Sequence, residues 1–496
     1  MKPKRKRLLA ALLAAVFVLL IPFAGTSCSN APENTDPVSE APAADEPAAE
    51  TPAEPEDPMA TRLALPDNLP DVTFDGQAFR ALTTASKEFQ FRVDELTGEV
   101  TNDVIFNRNK TIEERFDVSV ETVLCDAPYN EIINYVNAGT NDCELVDHFE
   151  YKAYTPIQKG CYLDWNTIPH IDQSQPWWNT DSNAGSTING KLYCIVGDLS
   201  VTAMQFTYAM FFDMDLVEQF GYSASDLYGT VFEGKWTLDE MRSVAGDIWT
   251  DLNSNGKSDD GDVLGYAYWN YHGTDVWVTA MGEPITKYED GQIVITLGSE
   301  KVSNALDKVI ALVYETPGSY RFSDETHGRN EFIAGRIAVM PMMFEDCYGP
   351  LRDMEYSYGV LPYPKYDEQQ ERYFTNSMDQ HSVFGVPVTL PDNLREFVGV
   401  VMEALNAESY KTVTPAFYDI ALKNKYTEDP VTAQMIDLIM DGRVYEFSFQ
   451  FGEFLSNLPY MFRYELYNGQ NNLASTLKKA QKPINKGLEK IYKCYE

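Results

Sequence analysis

The residues whose spacing most clearly implies chemistry run Asp251-Leu-Asn253-Ser-Asn255-Gly256-Lys257-Ser-Asp259-Asp-Gly-Asp262. Counting Asp251 as position 1, side-chain oxygens fall at positions 1, 3, 5, 9 and 12, with glycine at 6. This is the spacing of an EF-hand calcium loop. A hard cation needs several oxygens converging on one point. Gly256 permits the sharp turn, and Lys257 would contribute only its backbone carbonyl. Asp262 stands where glutamate is usual, and its shorter side chain reaches less well for a two-oxygen grip. The expected ligands are Asp251, Asn253, Asn255, Lys257, Asp259 and Asp262, around a structural Ca2+ that fixes a loop. The same residues also suit a solvated Asn/Asp/Gly turn.

A second chemistry lies in the aromatic residues. Phe, Tyr and Trp make up 13% of the chain, with 30 Tyr and 7 Trp. Sugar rings present flat C–H faces that an aromatic platform covers, while polar side chains collect the hydroxyls. Trp177 and Trp178 follow Pro176 in a polar loop, Trp269 and Tyr271 sit close together, and Trp277 follows. Each is a candidate ligand platform or a packing residue. Asp147, at the carboxyl end of an expected strand, is where open α/β sheets place ligands; its alternative is a solvated or helix-capping carboxylate. No catalytic residues stand out. The chain has no Gly-x-Ser-x-Gly elbow, no His-Glu-x-x-His and no Cys/His arrangement, and only 5 His.

Charge excludes another class. Of 496 residues, 39 are Lys or Arg and 75 are Asp or Glu, a net charge of -36. Nucleic-acid binding depends on neutralising phosphates with basic side chains, so no such partner is expected. The charge is unevenly spread. Lys2, Lys4, Arg5, Lys6 and Arg7 precede an apolar run from Leu8 to Ile21, which is short for a bilayer span but suits a signal peptide. Cys28 follows small residues just beyond it, as at a lipoprotein cleavage site. Residues 29–58 hold nine acidic residues, seven Pro, seven Ala and no Lys or Arg; this composition cannot repay the entropy of ordering. The reading is a signal peptide at 1–27, then lipidated Cys28 and an acidic Pro/Ala tether at 28–58. A protein held to the outer face of the membrane follows. The six other cysteines allow up to three disulfides or free buried thiols.

From Gln77 onward, strand-like and helical stretches alternate. Phe79–Thr83, Val118–Val123 and Cys143–Asp147 read as strands separated by helices at 101–115 and 129–137, which argues for a mostly parallel sheet. Asn189-Gly190 marks a tight turn. Thr237 caps a helix, with Glu240 placed to close a capping box. Beyond Pro391 the chain is mainly helical.

The order of these features resembles the extracellular solute-binding proteins of ABC importers, in the branch of maltodextrin and other sugar receptors. The pieces that carry the likeness are Gly160-Cys161-Tyr162-Leu163-Asp164 after Asp147, Phe206–Leu216, Trp236-Thr237-Leu238-Asp239-Glu240, Phe332–Met340, Tyr358–Pro364 and Ser382–Pro387. The resemblance implies an α/β, two-lobed, periplasmic-binding-protein-like fold of type II, with lobes joined by crossover segments and a helical C-terminal region. It implies lobe one at 59–203 and 328–381, lobe two at 204–327 and 382–496, and Asp379 beside the second crossover as a ligand-binding carboxylate. The implied partners are a small-molecule substrate, foremost a carbohydrate, and membrane permease subunits, the chain itself acting as a monomer and not as an enzyme. An extracellular glycan-acting enzyme, a receptor of the same fold for a peptide or another polar solute, and a purely adhesive surface protein are the competing readings.

Overall fold

The computed structural model describes residues 58–496 apart from 270, 272, 290, 353 and 424–429. The signal peptide, Cys28 and most of the tether therefore lie outside the described residues. Residues from Asp57 to the end form one compact unit.

Its first sheet grows from the alternation expected of the sequence. β1 (Gln77–Thr83), β2 (Val118–Leu124) and β3 (Leu145–Phe149) are joined through helices Val100–Phe116 and Pro128–Ala138. Parallel strands need such crossovers, because no tight turn can return the chain in the same direction. The first helix stops at Asp117 in the left-handed region (φ 48°), and Val118 opens β2 at once. Pro128 opens the second helix, where its missing N–H costs nothing, and Gly139 ends it in left-handed geometry at φ 69°. β1 pairs in parallel with both β2 and β3. The turn at Asn189-Gly190 forms as expected, with positive φ at both residues and Ile188 bridged to Lys191.

The second sheet contains β4 (Tyr208–Asp213), β5 (Leu264–Trp269), β8 (Ser319–Phe322), β9 (Ile337–Met343) and β10 (Tyr358–Leu361), in the order β10-β4-β9-β5-β8. A hairpin of β6 (Thr286–Glu289) and β7 (Gln292–Ile295) stands apart. All seven residues of β9 are buried, as a central strand covered on both faces requires. Last comes β11 (Ser382–Gly385), which joins the edge of the first sheet by antiparallel pairing with β3.

This topology corrects the expected lobe boundaries. β9 and β10 pair with β4, so the strands of 328–381 belong with the sheet of 204–327 and not with that of 59–203. Conversely β11, within 382–496, belongs to the first sheet. Helix Arg395–Glu408 follows it, packing Phe397, Val401 and Leu405 into the core that holds Phe79, Phe116 and Trp165.

The two sheets share no strand; the chain passes between them at 206–208 and again at 375–378, and the segment at 443–444 lies beside the second passage. Thr207 and Ser377 form an antiparallel bridge, with Met378 N–H donating to Phe206 O at 2.9 Å. Thr375 bridges Arg443 in parallel, and Val444 N–H donates to Thr375 O at 2.7 Å.

Gly399 shows how closely the returning helix is seated: a Cβ there would lie 1.8 Å from Pro169 O. Gly399→Ala is expected to destabilise the protein by about 1–3 kcal/mol through overpacking, as read from urea unfolding. Unchanged stability would mean that the helix is not held against this loop.

Candidate ligand-binding site

Where the three segments cross, a cavity of about 530 Å³ opens, within the range of small-molecule sites. Four parts of the chain supply most of its lining. Tyr151 follows the carboxyl end of β3, and Trp269, Tyr271 and Asp275 lie at and beyond the carboxyl end of β5. Ligands in open α/β sheets bind outside those strand ends. Met378, Asp379 and Gln380 come from the crossing segment, and Phe449, Glu453, Asn457, Tyr460 and Arg463 from the C-terminal helical region.

The rings have defined partners. Trp269 meets Tyr271 edge-on, with centroids 5.3 Å apart, and its indole N–H donates to Ser323 O at 3.3 Å. Tyr271 remains 52% exposed, which leaves its ring available to a ligand. The Tyr460 hydroxyl donates to the Asp379 carboxylate in a short hydrogen bond. Arg463 Nη1 donates to Asp275 Oδ2 at 2.7 Å. Its guanidinium also lies 4.5, 5.2 and 5.4 Å from the ring centres of Tyr460, Tyr271 and Tyr464. Burial pushes the Asp275 carboxyl up to about 7, opposed by the Arg463 charge. Asp275 Oδ1 and Arg463 Nε are buried without hydrogen-bond partners, and unmet groups of this kind cost about 1–3 kcal/mol each. Behind the cavity, Glu150 Oε2 approaches His381 Nδ1 at 3.7 Å. Burial, with Asp379 and Glu446 nearby, raises the Glu150 carboxyl well above its usual range, and burial takes the His381 ring down to about 3.

Of the residues singled out from sequence, Trp269, Tyr271 and Asp379 come together in this cavity. Four do not line it. Trp177 and Trp178 are buried beneath helix 395–408, and both indole N–H groups donate to the Glu403 carboxylate at 2.8 Å. Trp277 is fully buried, edge-on to Tyr363. Asp147 is also fully buried, accepting from Thr83 Oγ1 at 2.7 Å with Lys87 Nζ at 3.8 Å. Sequence reasoning missed Tyr151, Asp275, Tyr460 and Arg463. Asp275 lies between two residues that were chosen, Tyr271 and Trp277. Tyr460 and Arg463, three apart, signal a shared helix face, but nothing local ties them to β5.

The acidic loop is held by its own hydrogen bonds. Asp251 accepts from the N–H groups of Asn255 and Gly256, and Lys257 N–H donates to Asn255 Oδ1. Asp262 is buried and accepts from Leu252 N–H and Asp259 N–H. Asn253 and Asn255 turn their amide nitrogens toward Asp259; rotating each amide would present oxygen there instead. A different group, Asp260, His327 and Glu331, brings ligand atoms within 4.8 Å of one another and could hold a metal ion. His327 Nε2 lies 3.0 Å from Asp260 Oδ1. The six cysteines beyond Cys28 are all free thiols. No helix among the described residues is long and apolar enough to cross a membrane.

No protein-family model matches the sequence, and no curated protein matches it. Among solved structures, an ABC transporter solute-binding protein from Thermotoga lettingae, bound with alpha-D-tagatose, superposes with a TM-score of 0.51 at 18% identity. The match covers 83% of this chain and 100% of that one. With the two helix-flanked sheets, it establishes a two-lobed, type II periplasmic-binding-protein-like fold.

Glu403 carries a testable consequence. Burial pushes its carboxyl up to about 7, against the pull of two indole donors, whereas an unfolded glutamate titrates near ~4.3. The folded state therefore favours the protonated form, and this contribution to stability is lost as pH rises from about 4.5 through 7. Glu403→Gln cannot titrate and offers one good acceptor for two donors. The protonated parent at pH 5 likewise has one good acceptor, so the variant is expected to match it there within about 1 kcal/mol and to gain on it toward pH 8, in denaturant titrations at both values. A variant that loses ground to the parent as pH rises would contradict this assignment.

Proposed function

We propose that this protein is the extracellular substrate-binding component of an ABC transporter, capturing a carbohydrate in the cavity between its lobes and presenting it to a membrane permease. The observation that carries the reading is the cavity itself. Aromatic faces and carboxylates from both sheets' strand ends meet at the chain crossings, where a bound solute would bridge the lobes. The tagatose bound by the structurally similar protein supports a sugar-sized ligand. A closed, loaded form that differs from the open one is a signal a transporter can read. On this reading, the lobes are 59–205 with 382–408, and 208–375 with most of the C-terminal helices. The export signal and Cys28 supply the anchor on the outer face of the membrane, and the acidic segment to residue 58 supplies the tether.

One observation favours an alternative. Asp275 and Asp379 share the cavity, and paired carboxylates serve glycoside hydrolysis. Calorimetry against mono- and oligosaccharides, with peptides as controls and products monitored by chromatography, separates the readings. Saturable saccharide binding without turnover is expected. Trp269→Ala and Asp379→Asn should each weaken it at least about tenfold, the cost of one good contact, while Trp177→Ala should alter stability more than affinity. Product formation would instead establish the enzyme.

We further propose that the Asp251–Asp262 loop binds calcium, through Asp251, Asn253, Asn255, Asp259 and Asp262 with the Lys257 carbonyl. The supporting feature is the grip of Asp251 on Asn255 and Gly256 N–H groups, which folds the loop around its first ligand. Calcium should raise the melting temperature of the parent but not of an Asp251→Ala, Asp262→Ala variant. Equal gains in both proteins would reject the site.

A further inference from the structure

The cavity wall contains one cation held with unusual completeness. Arg463 sits three residues after Tyr460, so both project from the start of the same helical turn. Its Nη1 is tied to Asp275, and its planar group is enclosed by the rings of Tyr460, Tyr271 and Tyr464. A guanidinium fixed on one edge by a carboxylate and on its faces by tyrosines has little rotamer freedom left to lose on binding. Arg463 itself lines the cavity, so this fixed guanidinium is a donor within reach of a bound solute.

The surrounding charges decide what this donor reads. Asp275, Asp379 and Glu453 line the same space. Lys152, the nearby described cation, is engaged with Glu453. The guanidinium is matched by Asp275, so an incoming carboxylate would face two further acidic side chains with no uncommitted positive charge among the described residues lining the cavity. A hydroxyl oxygen accepting from the guanidinium meets no such opposition.

We propose that Arg463, positioned by Asp275, is the specificity-determining donor of this cavity, and that it selects an uncharged, hydroxyl-bearing solute over its anionic counterpart. The inference rests on the cavity being the ligand site, as in the proposed function. The burial that raises the Asp275 carboxyl also means that its ion pair with Arg463 is screened little by water.

The test compares matched saccharides by calorimetry on the whole protein: glucose with glucuronate, galactose with galacturonate, and the monodeoxy analogues of whichever neutral sugar binds. The neutral member should bind at least tenfold tighter than its uronate. Removal of one particular hydroxyl should cost at least tenfold in the parent, and that cost should vanish in Arg463→Lys and shrink in Asp275→Asn. A merely structural role would lower all affinities together without erasing the penalty for one hydroxyl. Equal or tighter uronate binding would overturn the inference, and this comparison needs no variant to fold. So would a deoxy penalty that both variants retain. If the uronate binds and Trp269→Ala weakens it, the cavity reading stands and only the role of Arg463 falls. Failure of every saccharide to bind, or binding indifferent to Trp269→Ala, overturns both.

Discussion

The structure depends on the hydrogen bonds among three backbone segments that lie side by side at 206–208, 375–378 and 443–444. No strand of the described residues runs from one sheet into the other, so these segments, with the core residues shared by both sheets, set how the carboxyl ends of β3 and β5 face each other. Side chains reinforce them. Thr207 and Ser377 both donate to Ala203 O, and Thr375 donates to Tyr208 O. Hydroxyls that satisfy carbonyls locally leave few polar groups needing water as neighbouring segments shift, which suits a joint between two bodies.

Chemistry at the joint follows from what borders it. Asp379 lies one residue past Met378, whose N–H closes the crossing, so its carboxylate is placed by the joint itself. Glu150 and His381 lie directly behind, both buried and both pushed toward their neutral forms. A polar layer kept neutral is cheaper to enclose than a charged one, and it leaves the cavity-facing groups to set the local field.

Much of the first sheet was legible because its strands and helices alternate within short stretches of sequence, and because Asp117 and Gly139 punctuate them locally. The placement of β9, β10 and β11 was not. Their strand character is local, but the choice of sheet is made by pairing with β4 and β3, hundreds of residues away in β11's case. The same limit governed the tryptophans. Composition marks Trp177, Trp178 and Trp269 alike, yet the first two are claimed by a buried carboxylate at Glu403, and only the third stands at a strand end open to a cavity. Asp379 was singled out because the crossover it borders belongs to the resemblance, and it lines the cavity. Arg463 had no such signal, since its place in the cavity wall is fixed by Tyr271 and Asp275 from a distant part of the chain.

The far wall of the cavity, residues 449–463, comes after all eleven strands in the chain. Synthesis proceeds from the N-terminus, so the two sheets can assemble while the pocket still lacks one side. The last helix, Leu473–Cys494, then anchors that wall: Tyr193 donates to Cys494 O at 3.2 Å, and Tyr495 packs 4.9 Å from the Tyr193 ring. The cavity is thus complete only at the end of chain emergence, once the tail of the chain has docked.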